Sequence, residues 1–225
     1  PSTDVLVGAI RQTLGRNGPL AGLRVLVTAG GTQEPLDPVR HLTNRSSGRM
    51  GYALAESARD RGAHVTLVSA PTGLSPIPGV DHVRVRTAED MAKAVLARRE
   101  QTDILVMAAA VADYRPASRS EDKIKKSDDA LTLVLEPTQD ILGTVAAMRA
   151  DGWPRMVIGF AAETSDLLEN AASKLARKKL DLLVANDVSA ADSGFEVEDN
   201  RVILLAPGAE PLALPLMHKF EVAER

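Results

Sequence analysis

The chain has 225 residues, 44% hydrophobic and 25% charged, with a formal net charge of −3, which suits one sizeable soluble core and argues against a nucleic-acid binder held by bulk charge. Aromatic residues make up 3% and cysteine is absent, which removes rows of stacking platforms, disulfides, thiol nucleophiles and cysteine-rich zinc sites. The histidines lack metal-site spacing, no apolar run approaches a membrane span and no signal peptide is visible, so a cytoplasmic location with no membrane partner is expected.

Residues 4–14 carry a helical apolar pattern, and "GRNGPLAGL" follows as a linker. Residues 1–22 are therefore expected to be a helix and linker from a longer chain, with the main domain at 23–225. Strand-like runs recur at 23–29 ("LRVLVTA"), 64–70 ("HVTLVSA"), 103–109 ("DILVMAA"), 155–160 ("RMVIGF") and 181–186 ("DLLVAN"). They are continuous apolar runs, as expected when helices cover both sheet faces. Helical patterns at 50–61, 89–99, 140–149 and 164–178 lie between them. This alternation predicts an α/β fold, Rossmann-like and doubly wound, with a mostly parallel sheet and helices on both faces. "RVILLAP" and "PLALPL" read as an antiparallel C-terminal hairpin. The interval 115–130, "RPASRSEDKIKKSDDA", reads as a flap.

In such sheets ligands sit beyond the carboxyl ends of the strands, where helix N-termini also point. The segments there are "GGTQE", "AAAVADYRP", "FAAET" and "ANDV". Between the first strand and its helix lies "HLTNRSSGRMG". Ser46, Ser47 and Gly48 precede the helix start, so they form either an anion cradle or a simple N-cap by Ser47. The glycines do not fit the GxGxxG dinucleotide fingerprint. Lys174 and Lys178 share a helix face, as a solvated surface or a polyphosphate clamp. Lys123, Lys125 and Lys126 lie in the flap. Asp113 follows a strand and can cap a helix, bind a ribose or base edge, or help hold Mg²⁺. Phe160 reads as core or ligand platform, and Asn44 as a turn residue or an oxyanion donor. Asn44-Arg45-Ser46 matches a glycosylation acceptor, an accidental match in a cytoplasmic chain.

Taken together, "VTAGGTQEPLDPVRHLTNRSSGRMG", "AAAVADYRP", "KIKK", "GFAAET" and "ANDVS" resemble, in order and spacing, the phosphopantothenoylcysteine synthetase family in its bacterial, CTP-using form. The resemblance implies a ligase of coenzyme A biosynthesis joining 4′-phosphopantothenate and L-cysteine through an acyl-cytidylate, with CTP giving CMP and pyrophosphate. It also implies Mg²⁺ or Mn²⁺ with the CTP. FMN would belong only to a decarboxylase half absent from this chain, and the full-length protein would be multifunctional. By the same resemblance, Ser46, Gly48 and Gly51 match the phosphate-binding turn, with Gly30 or Gly31 on its floor. Ala109, Asp113 and Lys123 match nucleotide-binding positions, as do Asp140, Ile141 and Leu142. Gln139 stands where proline is common. Phe160, Lys174, Lys178 and Asn186 match contacts to base, ribose or phosphate. Asn44 and Arg40 match substrate-facing positions, Asn44 and Lys123 carry the chemistry, and Asp113 is the candidate metal ligand. The family pattern further implies a homodimer whose flap reaches the partner's site, in a higher oligomer when full-length. An NAD(P)-linked reductase is the alternative from another class, against which stand the missing fingerprint and the missing Tyr-x-x-x-Lys pair. A non-catalytic nucleotide-binding module is a third.

Overall fold

A computed structural model describes residues 3–126, 128, 130–163, 167–187 and 198–225. Its sheet strands are β1 (Arg24–Ala29), β2 (His64–Ser69), β3 (Asp81–Arg84), β4 (Ile104–Met107), β5 (Met156–Glu163), β6 (Leu182–Asp187), β7 (Val202–Leu205) and β8 (Leu212–Ala213). They form one eight-stranded sheet in the order β8-β7-β6-β5-β4-β1-β2-β3. The strands from β3 to β6 pair in parallel, and β7 and β8 add antiparallel pairings at one edge. The parallel strands run 3-2-1-4-5-6, the doubly wound order in which the chain reverses direction between β1 and β4.

The helices are α1 (Thr3–Leu14), α2 (Arg49–Asp60), α3 (Ala88–Leu96), α4 (Ile141–Met148), α5 (Leu167–Arg177) and α6 (Lys219–Glu224). The period-2 alternation of each strand divides its apolar run between two cores. Val25, Val27, Ala29, Val65 and Leu67 face Ala55 and Ala58 of α2, whereas Leu26, Val68, Leu105 and Val157 face Met91, Val95, Ile141 and Val145 of α3 and α4. Burial on both faces is why the strands read as unbroken apolar runs. The N-terminal segment packs on α2, with Gly8 against the Arg59 guanidinium and Leu20 N donating to Arg61 O at 3.0 Å.

The five expected sheet strands form, as does the C-terminal hairpin, and the helices fall within a few residues of their expected bounds; the expected start of α5 at 164 lies outside the described residues. Among the elements that escaped the sequence reading are the short strand pairs Gln33–Pro35 with His41–Thr43 and Asp199–Asn200 with Met217–His218, and β3 and α6. β3 is a four-residue edge strand behind a Pro/Gly-rich loop, too short to register as an apolar run. The six-residue α6 depends on a capping box in which His218 Nδ1 accepts from Phe220 N at 3.2 Å and Glu221 Oε2 accepts from His218 N at 3.2 Å. The interval expected as a flap has an ordered stem: Tyr114–Pro116 pairs antiparallel with Leu135–Pro137, and Ala117 N donates to Val134 O at 2.9 Å.

One buried carboxylate ties the central strands together at the end opposite the ligand-binding rim. Asp103 Oδ2 accepts from Arg24 N at 2.9 Å and from Arg24 Nε at 3.0 Å, and its Oδ1 faces Arg155 Nε at 3.6 Å. The hydrogen bond from Arg24 holds the Asp103 carboxyl below the usual range, against the opposing effect of burial. A depressed carboxyl stabilises the fold above its unfolded pKa of about 3.9 and loses that contribution as the pH falls through the folded value. Asp103→Asn is expected to lower the melting temperature at pH 7 and to flatten the acid limb of stability against pH. Thermal unfolding followed from pH 7 to pH 3 measures both effects.

Candidate active site

Beyond the carboxyl ends of β1 and β4, at the reversal of strand order, lies a cleft of about 760 Å³. The loops leaving these two strands are joined past the sheet. Gly31 bridges Ala110 in parallel, Ala110 N donates to Gly30 O at 2.9 Å, and Ala112 N donates to Thr32 Oγ1 at 2.9 Å. Asn44 Nδ2 then donates to Val111 O at 3.2 Å, which places Asn44 on the rim shared by both loops. Asp113 follows in the same loop, exposed at the cleft, and its carbonyl accepts from Thr138 N at 2.9 Å.

The first turn of α2 forms one wall. Its N-cap is Gly48 at φ 78°, in the left-handed region open to glycine, which has no side chain to cap with. One residue earlier, Ser47 Oγ accepts from Arg49 N at a long 3.5 Å. Ser46, Gly48 and Gly51 all line the cleft around this N-terminus, where peptide dipoles favour an anion. A Cβ on Gly48 would come within 2.6 Å of Thr72 Cγ2, and one on Gly51 within 2.7 Å of Thr28 O and 2.6 Å of Ala29 Cβ. Glycine at 51 thus lets α2 lie directly on the end of β1. Gly30 is not on the cleft surface; it packs beneath Gly48, 3.4 Å from where a Cβ on Gly48 would sit.

The facing wall comes from α4, α5 and the ends of β5 and β6. Asp140 caps α4 by accepting from Gly143 N at 2.9 Å, and its other carboxylate oxygen meets Lys178 Nζ. Burial pushes the Asp140 carboxyl up, but the hydrogen bonds from Lys178 and Gly143 outweigh it and leave the group below the usual range. Lys174 Nζ donates to Phe160 O at 2.9 Å, so the two lysines point into the cleft instead of forming a solvated face. Gln139, Ile141, Leu142, Phe160 and Ala109 complete this side. Asn186 is buried at 7% exposure on the floor, and its Oδ1 has no hydrogen-bond partner among the described residues. A buried acceptor left unsatisfied within a polar cleft fits a ligand that brings a donor.

Several lining residues went unnoticed in the sequence. Arg49 opens α2, and its guanidinium pairs with Glu198 at 2.5 Å. Lys219 is buried at 4% exposure beside Asn200; burial first, and then Arg49, push its ammonium below the usual lysine range, against Asp199 and Glu198. Both C-terminal residues sit on or beside elements too short for sequence periodicity to reveal.

Arg40 and Lys123 do not line the cleft of their own chain. The Arg40 guanidinium instead grips Asp37 Oδ2 through Nε at 2.8 Å and Nη2 at 2.6 Å. Among the described residues no group of three or more His, Cys, Asp or Glu is placed to hold a metal. Asp113 offers an exposed carboxylate at the open rim, while the Asp140 carboxylate on the facing wall is taken by Lys178. That fits a Mg²⁺ carried in on phosphate oxygens and met by one protein carboxylate, not a resident ion in an all-protein cage.

The tightness at Gly51 yields a prediction. Gly51→Ala must push α2 off β1 at a cost of about 1–3 kcal/mol and should withdraw the helix terminus from the cleft. Nucleoside triphosphate affinity, measured by calorimetry, should fall more than tenfold in a variant that is still folded.

Residues 20–225 match the family described as DNA/pantothenate metabolism flavoprotein C-terminal domain. The chain is 48% identical over 203 residues to the coenzyme A biosynthesis bifunctional protein CoaBC of Vibrio vulnificus (strain YJ016), covering 89% of this chain and 50% of that protein. It is 43% identical over 208 residues to CoaBC of Bacillus subtilis (strain 168), covering 92% of this chain and 50% of that protein. The chain thus spans about half the length of the curated relatives it matches. The crystal structure of the C-terminal domain of a CoaBC protein matches with a TM-score of 0.76 at 42% identity, covering 91% of both chains. The order of motifs, the doubly wound sheet and these likenesses agree: the chain belongs to the DNA/pantothenate metabolism flavoprotein C-terminal domain family, together with the C-terminal domain of CoaBC.

Proposed function

We propose that this domain is a CTP-dependent ligase that joins 4′-phosphopantothenate to L-cysteine. The observation that carries the reading is the single cleft that gathers Asn44, the α2 N-terminus, Asp113, Phe160 and the Lys174–Lys178 pair. These are the parts that activation of a carboxylate by a nucleotide requires, and they need no thiol or triad.

A carboxylate is a poor electrophile. In the first step its oxygen attacks the α-phosphorus of CTP; the bond to the bridging oxygen breaks and pyrophosphate leaves with the electron pair. In the second step the amine of cysteine attacks the acyl carbon, CMP leaves with the acyl–oxygen electron pair, and the nitrogen releases a proton to give the amide. Positioning and charge stabilisation supply most of the rate. The α2 terminus with Ser46 cradles phosphate oxygens, and Lys174 and Lys178 offset their charge from the facing wall. The Asn186 acceptor takes a donor from the nucleotide. Asn44 donates to the acyl oxygen of the cytidylate. Asp113 would meet Mg²⁺, which supplies charge neutralisation on the triphosphate.

The reading includes a homodimer. Val39, Tyr114, Leu131 and Val134 form exposed apolar surface on the 36–40 turn and the flap, with Val134 71% exposed. A second copy would cover them, and a cleft lacking its own Arg40 and Lys123 would receive them from the partner.

Lys123→Gln should abolish pyrophosphate release from CTP and phosphopantothenate without unfolding the protein. Normal release would remove Lys123 from the chemistry. Asn44→Asp should permit cytidylate formation yet slow its use by cysteine by two to three powers of ten, about 3 kcal/mol of lost stabilisation. The double variant Lys174→Gln, Lys178→Gln should weaken CTP binding and its salt dependence, as read by titration at two ionic strengths.

A further inference from the structure

The most heavily bonded buried carboxylate outside the cleft is Asp37, 3% exposed, in the turn between the short paired strands Gln33–Pro35 and His41–Thr43. Its Oδ1 accepts from Val39 N at 2.9 Å and Arg40 N at 2.8 Å, which shapes the turn itself. Its Oδ2 accepts from the Arg40 guanidinium and from Ile124 N at 3.1 Å. Arg40 Nη2 also donates to Ile124 O at 2.6 Å. Both polar atoms of Ile124 are therefore held by one ion pair, 84 residues away in sequence from Arg40. A second tie lies nearby, where Ser120 N donates to Leu36 O at 3.0 Å.

Ile124 is the residue after Lys123. A flap that needed only to be soluble would have no use for a buried carboxylate that, with the half-exposed Arg40, closes upon one of its peptides. The three donors that converge on Oδ2 need a full negative charge facing them, since an amide there would turn a donor toward donors. The same carboxylate also fixes Arg40, so one group sets the position of two residues that the cleft of their own chain lacks.

We propose that Asp37 is a positioning residue of the ligase: through Arg40 it clamps the Ile124 peptide and so fixes where the flap can deliver Lys123. The inference rests on the ligase reading for the role of Lys123, whereas the clamp is a contact within the chain. Asp37 touches neither nucleotide nor acid. Its removal therefore loosens the flap and slows the first chemical step while leaving the phosphate cradle intact.

The test compares wild type, Asp37→Asn and Ile124→Pro, the last removing the clamped N–H from a half-buried flap position without altering any charge. Three quantities are measured: CTP affinity by calorimetry, pyrophosphate release with CTP, phosphopantothenate and Mg²⁺, and the rate of tryptic cleavage at the Lys125–Lys126 bond, which stays cleavable in both variants, by mass spectrometry. Both variants should bind CTP within twofold of wild type, be cut at that bond at least tenfold faster, and release pyrophosphate at least thirtyfold more slowly. Combining them should add little to either defect, because both break one clamp. Faster cleavage with unchanged release would overturn the proposal, as would slow release with the flap still protected, or a loss of CTP binding equal to the loss of rate. If wild type itself releases no pyrophosphate, the ligase reading falls and the catalytic role of the clamp with it. The cleavage rates would then still report whether Asp37 holds the flap.

Discussion

The functional architecture depends on how closely α2 lies against the end of β1. Two glycines make that approach possible: Gly51, where any Cβ would meet the backbone and side chain of β1, and Gly48, whose left-handed conformation turns the chain into the helix. The positive end of the helix faces the cleft at the point where the strand order reverses. Peptide dipoles there favour an anion. The remaining groups are arranged around that fixed point.

The opposite wall supplies charge with direction. Lys178 is tied to Asp140 and Lys174 to a backbone carbonyl, so each ammonium is aimed before a ligand arrives. Lysines held in this way lose less rotamer freedom on binding than lysines on a free helix face. Asp140 has two roles, capping α4 and orienting Lys178, and it joins the wall's local structure to its electrostatics. Arg49 and Lys219 add cationic character near the α2 terminus, each balanced in part by Glu198.

Much of this was legible in the sequence for physical reasons that can be named. Doubly buried strands read as apolar runs, and the small or polar residues after β1 and β4 and at the ends of β5 and β6 marked the rim of the cleft. The "NRSSGRMG" segment offered an anion cradle as one of two options, and it lies along the cleft at the first turn of α2. What stayed hidden depended on tertiary partners or on elements too short to show periodicity. β3 and α6 are of the second kind, and Lys219 went unseen with α6. Arg40 is of the first: its residue type and motif position pointed to substrate, while its guanidinium is engaged by Asp37 and Ile124, a contact across a long loop that no local pattern reveals. The flap was visible as an interval, but neither its paired stem nor its anchor at Ile124 was.

The proposed ligase activity requires that one cleft activate a carboxylate by transferring a nucleotidyl group to it. The most direct measurement incubates the protein with phosphopantothenate, Mg²⁺ and each nucleoside triphosphate in turn, without cysteine, and searches by mass spectrometry for the mixed anhydride. The cytidylate is expected with CTP, and it should disappear when cysteine is added. Stoichiometric CTP binding with no anhydride and no pyrophosphate from any nucleotide would contradict it.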